Sequence, residues 1–340
     1  VTEKLKPAAK QVLARNRAAA RRFVNVVGPK HAERVLTRAQ GVLTSRIEAA
    51  QAAMGDAAPE SFTVVQAAGT RAAIQDAVAQ VQLDLASSWN LYARGAAWFA
   101  ARNATQWMNA MEVGTLALDE AALFDMAYRG AESTLLRMRA SQGDGGVLQR
   151  YGFGAIGEFE QVLQTAVLTN MNYDEAVDLL TERSPFLEGK PRYWAERIVR
   201  TEMLGALNAG QAAVQNEMQE EFGDLVKVLV ATFDDRTSWD SYYVHGQVRR
   251  LDEPFECRNH LGLPVFYMNP PGRPNDRETI VSWRLSWGPL PAELRALPGG
   301  MCIQRWMQKG SKKRPPPSRP PIMSPGLEGL YEAPAEDDAA

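Results

Sequence analysis

One stretch of the chain, Val226 to Phe233, reads as a strand, and nearly everything before it repeats with the period of a helix. The run VKVLVATF is apolar on both faces, which is the pattern of a strand covered from both sides and so central in its sheet. Upstream, Val78, Val81 and Leu85 recur at i, i+3 and i+7. Leu36, Leu43 and Ile47 line one side of a helix whose opposite side carries Lys30, Arg34 and Arg38. A chain of this kind is expected to be mainly α with a small α+β C-terminal domain. The expected architecture is a helical N-terminal half, a few-stranded sheet around Val226–Phe233, an irregular Pro-rich wrap and an extended tail.

The chain has 340 residues, room enough for two domains with cores of their own. Its 45% hydrophobic and 23% charged residues place it among globular proteins. It has no apolar run of about 18 residues and no leader pattern behind Lys4, Lys6 and Lys10, so neither a membrane span nor a secretory signal is expected. Two cysteines, Cys257 and Cys302, are too few for a disulfide framework and fit synthesis in a cytoplasm. Ser141–Gly146 is Gly-rich, but it has no Lys-Ser/Thr after it and no strand before it. That excludes a phosphate-binding loop and suggests a hinge. The expected division is a helical domain over 1–146, a core domain over 147–305 and an extended or disordered Pro-rich tail over 306–340.

Within these limits, the helical pattern from Glu3 to Ala53 breaks at Gly28-Pro29, and Pro29 suits the first turn of a second helix. Further helices are expected over Phe62–Met111, Leu118–Ala140, Ala155–Asn170, Tyr173–Glu182 and Tyr193–Phe222. In the last of these, Glu196 precedes Arg200 by four residues, the favourable order for an ion pair. Asp234, Asp235 and Thr237 end the strand and suit a turn capping a short helix over Trp239–Tyr243.

Charge is unevenly spread. Residues 1–50 hold eleven Lys or Arg against Glu3, Glu33 and Glu48. Lys309–Arg319 is basic and Pro-rich, and an acidic end follows it. Two readings of the basic groups stand side by side: a solvated helix face, and phosphate contacts from Arg15, Arg21, Arg22, Lys30, Arg34, Arg38, Lys312, Lys313 and Arg314. No interleaved aromatics and no helix-turn-helix spacing accompany them, so binding to double-stranded DNA would carry no sequence preference.

The order of motifs from about residue 147 to 285 resembles the minor head protein family of tailed bacteriophages, the Mu F-like head morphogenesis proteins. The pieces are Arg200-Thr201-Glu202, Asn208-x-Gly210, Asp234-Asp235-Arg236-Thr237, His245-Gly246, Pro254-Phe255 and the run from Pro270 to Arg277. Relatives carry cysteines in the Asp-Arg-Thr turn and the closing motif, where Ser238, Tyr242 and Asp276 stand in this chain. The resemblance implies a virion structural protein in the phage head near the portal vertex. It would be made in the host cytoplasm and be present in several copies per particle. Its partners would be the portal protein, the major capsid protein or both, with contact to packaged DNA.

Two readings of the central polar residues follow. In the first, Arg197, Arg200, Glu202, Asp234, Asp235, Arg236, His245 and Arg277 form a structural clasp holding helix, strand and Pro-rich wrap together, with no cofactor and no catalytic role. In this reading Arg273 or Arg277 reaches Asp234, Asp235 or Glu202. In the second, Asp234, Asp235, His245 and Glu202 serve a metal-dependent nuclease or a transferase acting on nucleic acid or nucleotide. A zinc set of His245, Cys257, His260 and Cys302 is also conceivable from residue type, although 42 positions separate His260 from Cys302, whose neighbours are apolar.

Overall fold

The computed structural model describes residues 5–54, 64–111, 121–125, 128–129, 147–169, 171–182, 184, 186–234, 237–258, 263–272, 276–298 and 320–331. It is mainly α, with small antiparallel sheets toward the C-terminus, as the periodicities imply. The helices are α1 (Pro7–Arg22), α2 (Gly28–Met54), α3 (Val64–Met111), α4 (Val147–Leu168), α5 (Tyr173–Glu182), α6 (Gly189–Phe222) and α7 (Trp239–Val244). The strands are β1 (Leu225–Val230), β2 (Val248–Arg250), β3 (Phe255–Arg258), β4 (Pro264–Tyr267) and β5 (Thr279–Arg284). No helix among the described residues is long and apolar enough to cross a membrane.

The chain forms two compact units, and each draws on stretches from both sides of the expected boundary at residue 146. One comprises Val1–Asn25, Ala93–Thr134 and Thr201–Ala340; the other comprises Val26–Tyr92 and Leu135–Arg200.

Among its described residues, the second unit holds helices and turns and no strand. Leu36, Leu43 and Ile47 of α2 are buried, as are Ile74, Val78, Val81 and Leu85 of α3, while Lys30, Arg34 and Arg38 stay exposed. Each fully buried Leu or Ile of this kind contributes roughly 1.5–3 kcal/mol. α5 packs on α2 and α4. It starts at a capping box: Asn172 Oδ1 accepts the Glu175 N–H at 2.8 Å, and Glu175 Oε2 accepts the Asn172 N–H at 3.1 Å. Phe159 and Phe186 meet edge to face at 4.8 Å. The expected break at Gly28-Pro29 is gentler than a loop, because a π-helical turn over Phe23–Val27 leads directly into α2. Pro29 follows that turn within continuous helix, and the wider π-helical winding makes room for a ring that has no N–H to give.

In the first unit, α1 buries Ala9, Val12, Leu13 and Ala20, and α3 contributes an Ala-rich face around Ala93, Ala97, Ala100 and Ala104. Small side chains let α6 come close. A Cβ placed on Gly210 would lie 2.1 Å from the Ala97 carbonyl oxygen, so only glycine fits there. β1 is the centre of a sheet ordered β2-β1-β5, buried along its whole length. The ladder places Val228 opposite both Val248 and Val281. β3 and β4 form a separate hairpin, and Phe255 and Cys257 join Leu229, Val244 and Ile280 in one apolar cluster.

The strand stops earlier than the sequence implies. Val230 is its last residue, and Ala231–Phe233 leave the ladder, since the Ala231 N–H turns to His245 Nδ1 at 3.2 Å. The short helix begins at Trp239 with Ser238 at its N-cap, one residue past Thr237. α6 begins four residues before the expected Tyr193. The Ser141–Gly146 hinge lies outside the described residues. So does most of the block over Leu118–Ala140, of which residues 121–125 and 128–129 are helical.

Within the expected tail, residues 320–331 are seated on this unit. Val248 N donates to Ile322 O at 2.8 Å and Ser324 N donates to Val248 O at 3.2 Å, adding the segment to β2. Arg249 grips it through bonds to Pro321 O at 2.6 Å and Ile322 O at 3.0 Å, and Leu327 and Leu330 are buried. The stretch from Pro320 to Leu327 is rich in apolar residues and free of charge, which makes the packing possible where the basic run before it would not.

Candidate functional site

The polar residues that end β1 are held by the segment before β5. Arg277, 6% exposed at its side chain, forms a two-pronged ion pair with Asp234: Nη2 donates to Oδ1 at 2.6 Å, and Nη1 donates to Oδ2. This is the fork geometry that makes Arg–carboxylate pairs strong. Thr232 Oγ1 donates to the Arg277 carbonyl at 3.0 Å, so the same residue is tied by side chain and backbone. Thr237 Oγ1 accepts the Asp234 N–H at 2.7 Å and donates to Thr232 O at 2.8 Å, closing the turn on itself.

His245 and Gly246 complete this corner. With Nδ1 accepting from Ala231, the imidazole of His245 is held as the tautomer protonated on Nε2, and it stands edge-on to Phe233 at 4.8 Å. Phe233 also stacks on Tyr242 at 5.2 Å. Gly246 has φ +77°, and a Cβ there would lie 2.2 Å from the Ala296 nitrogen. Conformation and space both demand glycine. Tyr331 Oη donates to Gly246 O at 2.5 Å and accepts the Ala296 N–H at 2.9 Å, joining the C-terminal segment to the same corner.

Of the other residues expected in the clasp, Arg200 forms the ion pair that its spacing from Glu196 predicts: Nη2 donates to Glu196 Oε2 at 2.7 Å on its own helix, while Arg192 Nε holds the other oxygen at 3.2 Å. Four-residue spacing explains this, because Glu196 lies one turn from each arginine. Arg197 is half-buried and Glu202 buried. Asp235, Arg236 and Arg273 lie outside the described residues.

Chemically, these groups are committed to the fold. Both Asp234 oxygens face Arg277, and the bare nitrogen lone pair of His245 is taken by a backbone N–H. Cys257 is buried, and its thiol is pushed up to about 12 by burial, with Asp276 and Glu278 adding to the effect. That is the reverse of what a thiolate ligand needs. His260 and Cys302 lie outside the described residues, and among the described residues no group of three His, Cys, Asp or Glu is placed to hold a metal.

Sequence reading missed two buried carboxamides. Asn208 Nδ2 donates to Glu278 O at 3.0 Å and its Oδ1 accepts the Ile280 N–H at 3.2 Å, imitating a peptide along the edge of β5. Gln247 treats β3 alike, through Glu256 O at 2.6 Å and Glu256 N at 3.2 Å. Asn208 belongs to the Asn-x-Gly piece of the motif order; a lone Gln after Gly246 gives no comparable signal. Lys227 was also missed as a buried group. It is 2% exposed, and its ammonium donates to Leu251 O at 3.1 Å and Met268 O at 2.8 Å.

Of the basic candidates in the first unit, Arg15 donates to Gln106 Oε1 at 2.9 Å, while Arg21 and Arg22 are exposed in the last turn of α1. In the second unit, Arg38 meets Asp84 at 3.3 Å with its side chain still 68% exposed, and Lys30 and Arg34 are exposed. Lys312, Lys313 and Arg314 lie outside the described residues. The second unit also has an open cavity of about 470 Å³ between α4 and the start of α6, where Lys190 is bound to Glu158 at 2.8 Å.

No family model, curated protein or solved structure matches this chain.

Proposed function

We propose that this chain is a virion structural protein, a minor head protein that joins portal and capsid during phage assembly. The observation that carries the reading is the use made of the motif residues. Asn208 closes a strand edge, Gly210 and Gly246 permit close backbone approach, and Asp234 is clasped by Arg277. A signature devoted to holding helix, strand and wrap together fits a protein whose work is done by its surfaces. The order of these motifs, which resembles the Mu F-like head morphogenesis family, supplies the particular assembly.

The alternative, a nuclease or transferase built on Asp234, Asp235, His245 and Glu202, draws less support, because Asp234 and His245 already have intramolecular partners. Contact with packaged DNA rests on the exposed Arg21 and Arg22 of one unit and Lys30 and Arg34 of the other. The test is co-expression with portal and major capsid proteins followed by gradient sedimentation. Co-migration with portal rings or procapsids is expected; a protein that stays at the top of every gradient would refute the proposal.

A further inference from the structure

Among the described residues, three of the four outer strand edges are closed by something other than a strand of the same sheet. Asn208 covers β5, joined by Trp107, whose indole N–H donates to Ser282 O at 2.7 Å. Gln247 covers β3, and the segment beginning at Pro320 covers β2. The remaining edge is that of β4.

The register shows what that edge offers. Glu256 turns its N–H and C=O toward Gln247, away from β4. In an antiparallel pair its neighbours Phe255 and Cys257 therefore bond to Tyr267 and Val265, and Phe266, opposite Glu256, points its N–H and C=O outward. Neither group has a partner among the described residues. Phe266 is 60% exposed and is flanked by Leu263 at 55% and Met268 at 44%. No charged side chain occurs from Leu263 to Gly272, and the two charges on the adjoining strand, Glu256 and Arg258, neutralise each other at 2.8 Å. An open, uncharged, apolar edge is what proteins ordinarily avoid leaving in water.

We propose that the β4 edge is a docking site for an extended, uncharged, apolar segment of a partner protein, which adds as a strand beside Phe266. The molecule already uses this chemistry. Pro320–Leu327 is uncharged and lies along β2 through backbone bonds centred on Val248, and being held there it is not the occupant of β4. A second copy of the chain fits less well. Three exposed side chains supply a few hundred Å², short of the roughly 800 Å² per partner of a self-standing interface. Strand addition draws its affinity from main-chain bonds and needs less area. Pro264, the next outward position, has no N–H to give, so the added strand is short and centred on Phe266.

The test uses the full chain and a blocked heptapeptide alternating Val with Thr. Amide exchange over residues 263–268, fast in the free protein, should slow at least about tenfold when the peptide binds, a protection set by the bound fraction. Phe266→Pro, which deletes the outward N–H, should abolish that slowing. Phe266→Lys, a change at an exposed site that leaves the backbone donor intact, should weaken binding about tenfold while the melting temperature holds. No slowing at about 1 mM peptide would overturn the proposal, since even weak peptide sites bind there. So would slowing indifferent to both substitutions. Protection that grows with protein concentration in the absence of peptide would assign the edge to a second copy instead, and would equally overturn it.

Discussion

Lys227 shows how a residue that breaks the pattern of its strand can still belong to it. It stands within an apolar run, is 2% exposed, and has its ammonium over the Phe255 ring at 5.0 Å with two carbonyls as acceptors. Burial, aided by Arg249, pushes its pKa down to about 8 from the ordinary 10.5, with Asp252 and Glu253 opposing. Below pH 8 folded and unfolded chains both carry the proton, and the fold bears the cost of a desolvated charge. Between 8 and 10.5 the folded state has released the proton while the unfolded state still holds it, so stability rises with pH, by up to about 3 kcal/mol. Urea unfolding of wild type and Lys227→Met across that window should show wild type gaining relative to the variant. Parallel pH curves would show that the ammonium is not desolvated in this way. A sequence reader sees a lysine in an apolar strand but not the carbonyls of Leu251 and Met268, which come from distant turns.

Helices declare themselves through repetition, and sheets through their edges. The faces of α2 and α3 were legible because Leu36, Leu43, Ile47, Val78, Val81 and Leu85 return at spacings of three, four or seven residues, and all six are buried. α5 runs over the expected Tyr173–Glu182, and a capping box at its start, which the sequence reading did not use, fixes where it begins. The strands β2 to β5 were not, since each has three to six residues and alternation over so short a run is no pattern at all. The closing of their edges depends on long-range pairs such as Asn208 with Ile280. Replacing Asn208 by Leu removes both bonds and leaves the Ile280 N–H and Glu278 C=O buried and unpaired. The expected loss is about 2–6 kcal/mol, from roughly 1–3 kcal/mol for each of the two orphaned groups, read by chemical denaturation. A loss below about 0.5 kcal/mol would mean that another group takes over the edge.

At the scale of the molecule, the class of the fold followed from periodicity, but its division did not. The two units are assembled from stretches far apart in sequence, and no composition shift records which distant stretches associate. The charge excess of residues 1–50 was visible at once, whereas only coordinates show that the exposed Lys10 is bound to Glu293 at 2.9 Å, while Arg21, Arg22, Lys30 and Arg34 are likewise exposed. If those four touch DNA phosphates, replacing them together by Gln should reduce the salt dependence of DNA retention. The log–log slope should fall by about 0.9 for each phosphate that is no longer neutralised, with folding intact; an unchanged slope would exclude them.

The central claim is that the signature residues hold the molecule together, and the Asp234–Arg277 pair states it most plainly. Its most direct test compares Asp234→Arg, Arg277→Asp and the doubly exchanged chain, scoring melting temperature and incorporation into particles assembled with portal and capsid proteins. Each single reversal buries like charges and should cost on the order of 3–5 kcal/mol and, on the virion role proposed above, abolish incorporation, and the exchange should restore much of both. Single variants that melt like wild type yet fail in assembly, with no rescue on exchange, would contradict the account and give these residues a chemical role.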